Sequence, residues 1–236
     1  NVIPREADAE ILITGANDEE LNKEYNTVKD IIEDIMHVYK QELAGSEPDL
    51  KYEIEDLGND TYQVLDMISF EKVLFLLVHM PYGVQVMSAE IEGLVESSLN
   101  LGIFRIEDDR AEFLNHIRSS KDSYKHHLSD RLAYMVSFLG GDYVIRTEYP
   151  AWEFKQESAL REHFKKIYRE MYGKDMKVAA IHAGLECGII YDKMPGIDIV
   201  SIGPDMSGVH TVEERLNIPS TIRVYKFLER ILSEKF

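Results

Sequence analysis

The sequence predicts an α/β protein built in two parts, and three observations carry that expectation. The charge is divided: residues 1–118 hold 26 Asp+Glu against 9 Lys+Arg, a net of −17, whereas residues 119–236 hold 17 of each. A break of that size implies two physically distinct parts. In both halves apolar residues recur at steps of three and four in some stretches and alternate in others, so helices and strands are mixed. In the second half these stretches alternate, which predicts a partly parallel sheet covered on both faces.

The first half opens on a short apolar run, 9–14, read as a strand and closed by Gly15-Ala16-Asn17. Asn17 or Asp18 then caps a helix whose first turn carries Asp18, Glu19 and Glu20, where negative charge suits the helix dipole. Leu21, Tyr25, Val28, Ile32, Ile35 and Tyr39 give that helix one apolar stripe, and Gly45-Ser46-Glu47-Pro48 ends it. Residues 51–57 alternate as a strand before the turn Gly58-Asn59-Asp60. Residues 69–79 are apolar nearly all round and predict a well-buried helix stopped by Pro81-Tyr82-Gly83. Residues 94–106 and 112–118 read as two strands joined across 107–110.

After Arg118 the texture changes. A helix with Tyr124, Leu128, Leu132, Met135 and Leu139 on one face ends at Gly140-Gly141. There follow a strand (143–149), a Pro-bearing loop, a helix (158–172) and a strand (177–181). A short helix after Gly184, a strand (197–202) and a closing helix (220–233) complete the chain. Ligands of such sheets sit beyond the C-terminal strand ends, and two glycine-bearing turns, 181–188 and 201–210, fall there.

Composition narrows the function. With 44% hydrophobic and 29% charged residues the chain is an ordinary globular protein. No apolar run is long enough to span a bilayer and the N-terminus does not read as a signal peptide, so no membrane role is expected. The acidic first half disfavours nucleic acid, whose phosphates need Lys and Arg. The single cysteine, Cys187, excludes an internal disulfide and a Cys-rich zinc site and fits a cytoplasmic location. Any metal would be held by His and carboxylates.

The candidate chemistry lies in the two glycine turns. His210 follows Gly203-Pro204 and Ser207-Gly208 in a loop too rich in Gly and Ser for a core, which makes it a candidate metal ligand. His182 and Glu186 lie four apart and can share a helical face. Arg118, at the junction of the halves, is either a bidentate carboxylate binder or a solvated strand end. Cys187 has no activating base in sequence and reads as an inert thiol. His126 and His127 read as surface residues. Neither Gly140-Gly141 nor Gly203-Pro204 is followed by Lys-Ser/Thr, so neither is a phosphate loop. No second His/Asp/Glu cluster accompanies these residues.

The stretches Ile181-His-Ala-Gly-Leu-Glu-Cys-Gly188, Ser201-Ile-Gly-Pro204 and Gly208-Val-His-Thr-Val-Glu-Glu-Arg215 resemble the C-terminal part of aminoacyl-histidine dipeptidases, carnosinase-like co-catalytic zinc metallopeptidases. Asn1-Val-Ile-Pro-Arg-Glu-Ala7, Pro81-Tyr-Gly-Val84, Gly93-Leu-Val-Glu96, Arg118-Ser-Ser120 and Tyr149-Pro-Ala-Trp152 follow in the family's order. Ala151 replaces a usual Gly. The resemblance implies that residues 1–118 are most of a lid domain and that 119–236 are the C-terminal portion of a zinc-binding α/β catalytic domain. It implies hydrolysis of Xaa-His dipeptides by metal-activated water. It further implies that His210 is a zinc ligand, that Asn1 and Arg118 reach the substrate carboxylate or developing oxyanion, and that Gly184, Glu186 and Ser207 line the substrate pocket. A homodimer is implied by lid pairing in related peptidases. The family's other zinc ligands and its general-base Glu fall upstream of Asn1, so the chain alone is expected to be inactive. The competing expectation is a non-catalytic binding or dimerisation module derived from the lid.

Overall fold

The computed structural model describes residues 4–107, 109–179, 186–209 and 211–234. The chain divides into two compact units, Arg5–Lys72 and, with Asn1–Pro4, Val73–Phe236.

The smaller unit is dominated by one long helix, α1 (Asp18–Glu42). Its start is fixed by local chemistry: the Asn17 side chain accepts from the Glu20 N–H at 3.0 Å, while the Glu20 carboxylate accepts from the Ala16 N–H at 2.9 Å. This reciprocal pair satisfies donors that the first helical turn leaves unpaired. The half-buried stripe runs Leu21, Tyr25, Val28, Ile32 and Met36, whereas Ile35 and Tyr39 are exposed. The expected stripe is thus right over its first four members and then follows Met36, one step of four beyond Ile32. A second helix, α2 (Met67–His79), starts before Ser69 because Asp66 receives the N–H groups of Ile68 and Ser69 and the Ser69 hydroxyl. Those bonds, led by the one from Ser69, hold the Asp66 carboxyl below its ordinary range. Only Leu76 of α2 is buried among the described residues; a helix apolar all round leaves most of its surface uncovered here.

The larger unit is built on an antiparallel sheet in the order β1-β2-β3: β1 (Gly83–Met87), β2 (Val95–Glu107) and β3 (Arg110–Ser119). Helix α3 (Asp122–Phe138) covers one face, where Leu99 of β2 packs with Leu128 and Leu132 in a core joined by Ile117 and Tyr124. This core runs across position 118, joining strand and helix on either side. The turn between them is made by serine hydroxyls. Ser119 Oγ accepts from the Lys121 N–H at 3.0 Å and is hydrogen-bonded to Ser97 Oγ at 2.8 Å, and the Ser120 N–H donates to the Glu96 carbonyl. Ser97 is fully buried, a tolerable place for a hydroxyl only because it is paired.

A second core joins α4 (Ala159–Tyr172) to α6 (Ile218–Ser233) through Phe164, Ile167, Phe227 and Ile231. The rings of Phe164 and Phe227 meet edge to face at 5.7 Å. Ser158 caps α4, Gly173 ends it in the left-handed region, and Asn217 caps α6. Between them lie α5 (Glu186–Lys193) and a two-residue hairpin, β4 (Met206–Ser207) with β5 (Arg215–Leu216).

Four expected strands, and the described part of a fifth, are not strands. Residues 9–14, 51–57, 143–149 and 197–202, and the described part of 177–181, join no ladder, and every ladder among the described residues is antiparallel. A strand needs a neighbour to take its N–H and C=O groups. These segments have strand-like composition but no adjacent strand among the described residues. Their apolar side chains register the lack: Ile11, Val144, Ile145, Val178 and Ile202 are exposed, Val144 at 72%.

Candidate functional site

Arg118 is the one described candidate that lines the principal cleft of the larger unit, a space of about 640 Å³. It is half-buried one residue from the end of β3, and buried Glu96 lies beside it in the lining. The Lys121 ammonium sits 3.7 Å from the Glu96 carboxylate. The cleft therefore presents two cations and a carboxylate at the point where the sheet hands over to α3.

The opposite wall is the segment 149–155, whose backbone is held from two sides. From α3, Asp122 Oδ1 accepts from the Ala151 N–H at 3.0 Å and Lys125 Nζ donates to the Tyr149 carbonyl at 2.8 Å. Burial works to raise the Asp122 pKa, yet the bonds from Lys125 and Ala151 outweigh it and the carboxyl lies below its ordinary range. From α5, buried Gly188 presses on the same segment: a Cβ placed there would stand 2.8 Å from the Pro150 carbonyl oxygen and 3.6 Å from Trp152 Cβ. Two motifs far apart in sequence, 149–152 and the end of 181–188, thus meet because one of them offers no side chain.

The third wall is the segment 197–205. Asp198 ties it to α4, accepting from the Ser158 hydroxyl at 2.7 Å and the Leu160 N–H at 3.0 Å. Burial pushes the Asp198 pKa up, but the Leu160 and Ser158 bonds prevail and the net shift is downward. A carboxyl depressed on folding stabilises above its unfolded pKa and loses that contribution as pH falls through the folded one. Asp198→Ala is accordingly expected to lower stability by about 1 kcal/mol near neutral pH, the usual value of a helix-cap contact. The difference from wild type should close as pH falls below 3.8. Urea unfolding at several pH values checks this; a pH-independent difference would mean the carboxylate is not the acting group.

Asp205 fixes the end of this segment. Its N–H donates to the Ser220 hydroxyl at 2.8 Å and its carbonyl accepts from the Asn217 N–H at 3.0 Å, so the loop is anchored to the start of α6. The hairpin β4–β5 follows, and Gly208 turns its loop at φ +61°, with Glu213 O only 2.7 Å from where a Cβ would lie.

The other expected site residues fare differently. Asn1, His182, Gly184 and His210 lie outside the described residues. Glu186 opens α5 and Ser207 lies in β4; both are exposed and neither is among the residues lining the cleft. Cys187 is half-buried. His126 is exposed, 3.4 Å from Glu148. Asp122, Asp198 and Lys121 were not read as site residues from the sequence, because lone charged residues at a helix start or in an extended run give no signal of what they hold. Among the described residues no group of three or more His, Cys, Asp or Glu could hold a metal ion. They do not by themselves supply a zinc centre.

Comparison with known proteins accounts for this layout. Over 234 residues, 99% of its length, the chain is 31% identical to the cytosol non-specific dipeptidase of Escherichia coli strain K12. The chain is homologous to part of a dipeptidase. It spans 47% of that relative, about half its length. The crystal structure of aminoacylhistidine dipeptidase from Vibrio alginolyticus superposes with a TM-score of 0.79 at 28% identity, covering 91% of this chain and 44% of that one. Aminopeptidase PepT from Bacillus cereus ATCC 10987 matches at a TM-score of 0.54 and 17% identity over 69% of this chain and 44% of that one, a likeness of fold alone. No protein-family model matches the chain. The mixed helix and sheet of this chain is the peptidase fold in part. No helix among the described residues is long and apolar enough to cross a membrane.

Proposed function

We propose that the chain forms the C-terminal part of a cytoplasmic, zinc-dependent dipeptidase acting on Xaa-His type dipeptides. The observation that carries this reading is the half-buried Arg118 in a cleft whose other walls are 149–155 and 197–205, on a chain homologous to a dipeptidase over nearly its whole length. A guanidinium partly withdrawn from water binds a carboxylate in bidentate fashion or stabilises a developing oxyanion. Residues 1–118 hold most of a lid-like part. The packing of Leu128 and Leu132 on Leu99 favours ending it after α3 rather than at Arg118. Asn1 acts with Arg118, while Gly184, Glu186 and Ser207 belong to the substrate pocket. His210 is one zinc ligand, and its partners come from outside this chain.

The uncovered apolar surface supports a role within a larger fold. Val144 and Ile145 are exposed on an extended segment, and α6 exposes Ile218, Ile222, Tyr225 and Leu232 along one stripe. A soluble chain covers surfaces of this kind with another part of its assembly. The alternative, a non-catalytic dimerisation module, draws on α2, where Met67, Ile68 and Val78 are each more than 60% exposed; a homodimer is compatible with either reading.

The test is a dipeptide-hydrolysis assay of the full-length protein carrying this chain, beside the chain alone, with and without a zinc chelator. Full-length turnover abolished by the chelator, and none from the chain alone, is the expected result. A full-length protein that binds but never cleaves dipeptides would favour the module, and turnover by the chain alone would show that its own ligand set suffices.

A further inference from the structure

The face of the sheet opposite α3 carries a polar pair that the proposed catalytic roles do not use. Leu99 and Ile117 point to α3, so their neighbours Ser98, Asn100, His116 and Arg118 point to the other face. In register, Ser98 stands opposite Arg118 and Asn100 opposite His116. Residues 116 and 118, two apart on one strand, lie about 7 Å apart. That is close enough for Arg118 to act on the His116 charge.

A local irregularity builds the seat for His116. The ladder slips between Leu101 and Ile103, leaving Gly102 as the extra residue of a bulge. The imidazole lies over it: a Cβ at Gly102 would meet His116 Nδ1 at 3.1 Å and Cε1 at 3.3 Å. Nδ1 is buried there with no hydrogen-bond partner. Burial above all, with nearby positive charge of which Arg118 is the smallest part, holds the imidazole below its ordinary range and so favours the neutral ring. A neutral ring carries one N–H, and an orphaned buried donor is rarer than an orphaned acceptor. The proton is therefore assigned to Nε2, on the edge away from Gly102.

We propose that His116, with Asn100 opposite, reads the side chain of the substrate's C-terminal residue and selects dipeptides whose side chain there accepts a hydrogen bond. The inference rests on the dipeptidase reading and on Arg118 taking the substrate carboxylate. With that carboxylate at Arg118, the adjoining C-terminal side chain falls within reach of the next position on the strand face. There it meets the Nε2–H of a ring held off its own backbone by the bulge. A substrate imidazole or side-chain amide accepts that bond, whereas an apolar chain covers the donor and leaves it unpaired, the arrangement that gives strong discrimination.

The experiment compares two near-isosteric substrates, Ala-Gln and Ala-Met, on the full-length protein. The wild-type kcat/KM ratio is expected to favour Ala-Gln by about 10-fold or more. His116→Leu should bring the ratio toward one, carried by KM. His116→Gln, whose amide nitrogen can stand where Nε2 stood, should restore most of it. Thermal melting of His116→Leu should not fall below wild type, since the substitution removes an unpartnered buried atom. A wild-type ratio near one, or a ratio unchanged in His116→Leu, overturns this proposal alone. A full-length protein that hydrolyses no dipeptide overturns the dipeptidase reading and this proposal with it.

Discussion

Replacing Arg118 by Ala in the full-length protein is expected to reduce kcat/KM by about 100- to 1000-fold, the order of loss when one preorganised donor to an anion is removed. The reason lies in where the sequence puts this residue. It stands one residue from the end of β3, half-buried, with Glu96 and Lys121 beside it in the cleft lining. Partial burial strengthens its interaction with an anion relative to water. The split between constants identifies the group it binds. A fall in kcat with KM held assigns Arg118 to the transition state; a rise in KM alone assigns it to the substrate carboxylate. Arg118→Lys separates charge from geometry, because an ammonium cannot make the paired contacts of a guanidinium. Circular dichroism guards against a folding defect. Unchanged turnover and unchanged KM would remove Arg118 from the site.

Gly188→Val is expected to destabilise the chain by about 3 kcal/mol, at the upper end for overpacking. Two effects compete at a helical glycine. A side chain limits the unfolded ensemble and favours the helix, by up to about 1 kcal/mol for Ala and less for β-branched Val. Against this, the first added carbon would lie 2.8 Å from a backbone oxygen, that of Pro150. That oxygen cannot retreat freely, since Asp122 holds the N–H of the same peptide group and Lys125 the carbonyl of the one before it. The clash wins, and Gly188→Ala should show a smaller loss of the same sign. Urea denaturation measures both. A stabilised Gly188→Ala would mean α5 shifts away from 149–152 at little cost and that the close approach does not hold the wall in place.

The helices were legible because their signals are local. Asn17 with Glu20, Ser158 with Gly173, and Asn217 each mark an end by bonding to backbone within four residues, and the apolar periods between them need no partner to be read. The long hairpin β2–β3 was legible for the same reason, its two strands being neighbours in sequence. The short strand β1 escaped notice because Pro81-Tyr82-Gly83 reads as a stop, although Gly83, at φ +77°, begins the strand.

Of the candidate site, Arg118 was found by its place at a junction, but its neighbours in the wall were not. Asp122, Asp198 and Asp205 each act on a segment at least 12 residues away in sequence, Asp122 on Ala151, Asp198 on Ser158 and Asp205 on Ser220. His116 carries no motif at all; its seat depends on a slipped register and an opposing glycine on another strand.

The sequence by itself determined which segments are helical, how the first of them is capped, and that a dipeptidase-like set of motifs is present. Those properties follow from contacts a few residues long. The tertiary structure alone decided which extended runs have a strand beside them, and which side chains share the cleft with Arg118. Pairing and burial depend on what stands across a gap in space, and a run such as 143–149 reads as a strand whether or not a partner is there to receive its hydrogen bonds.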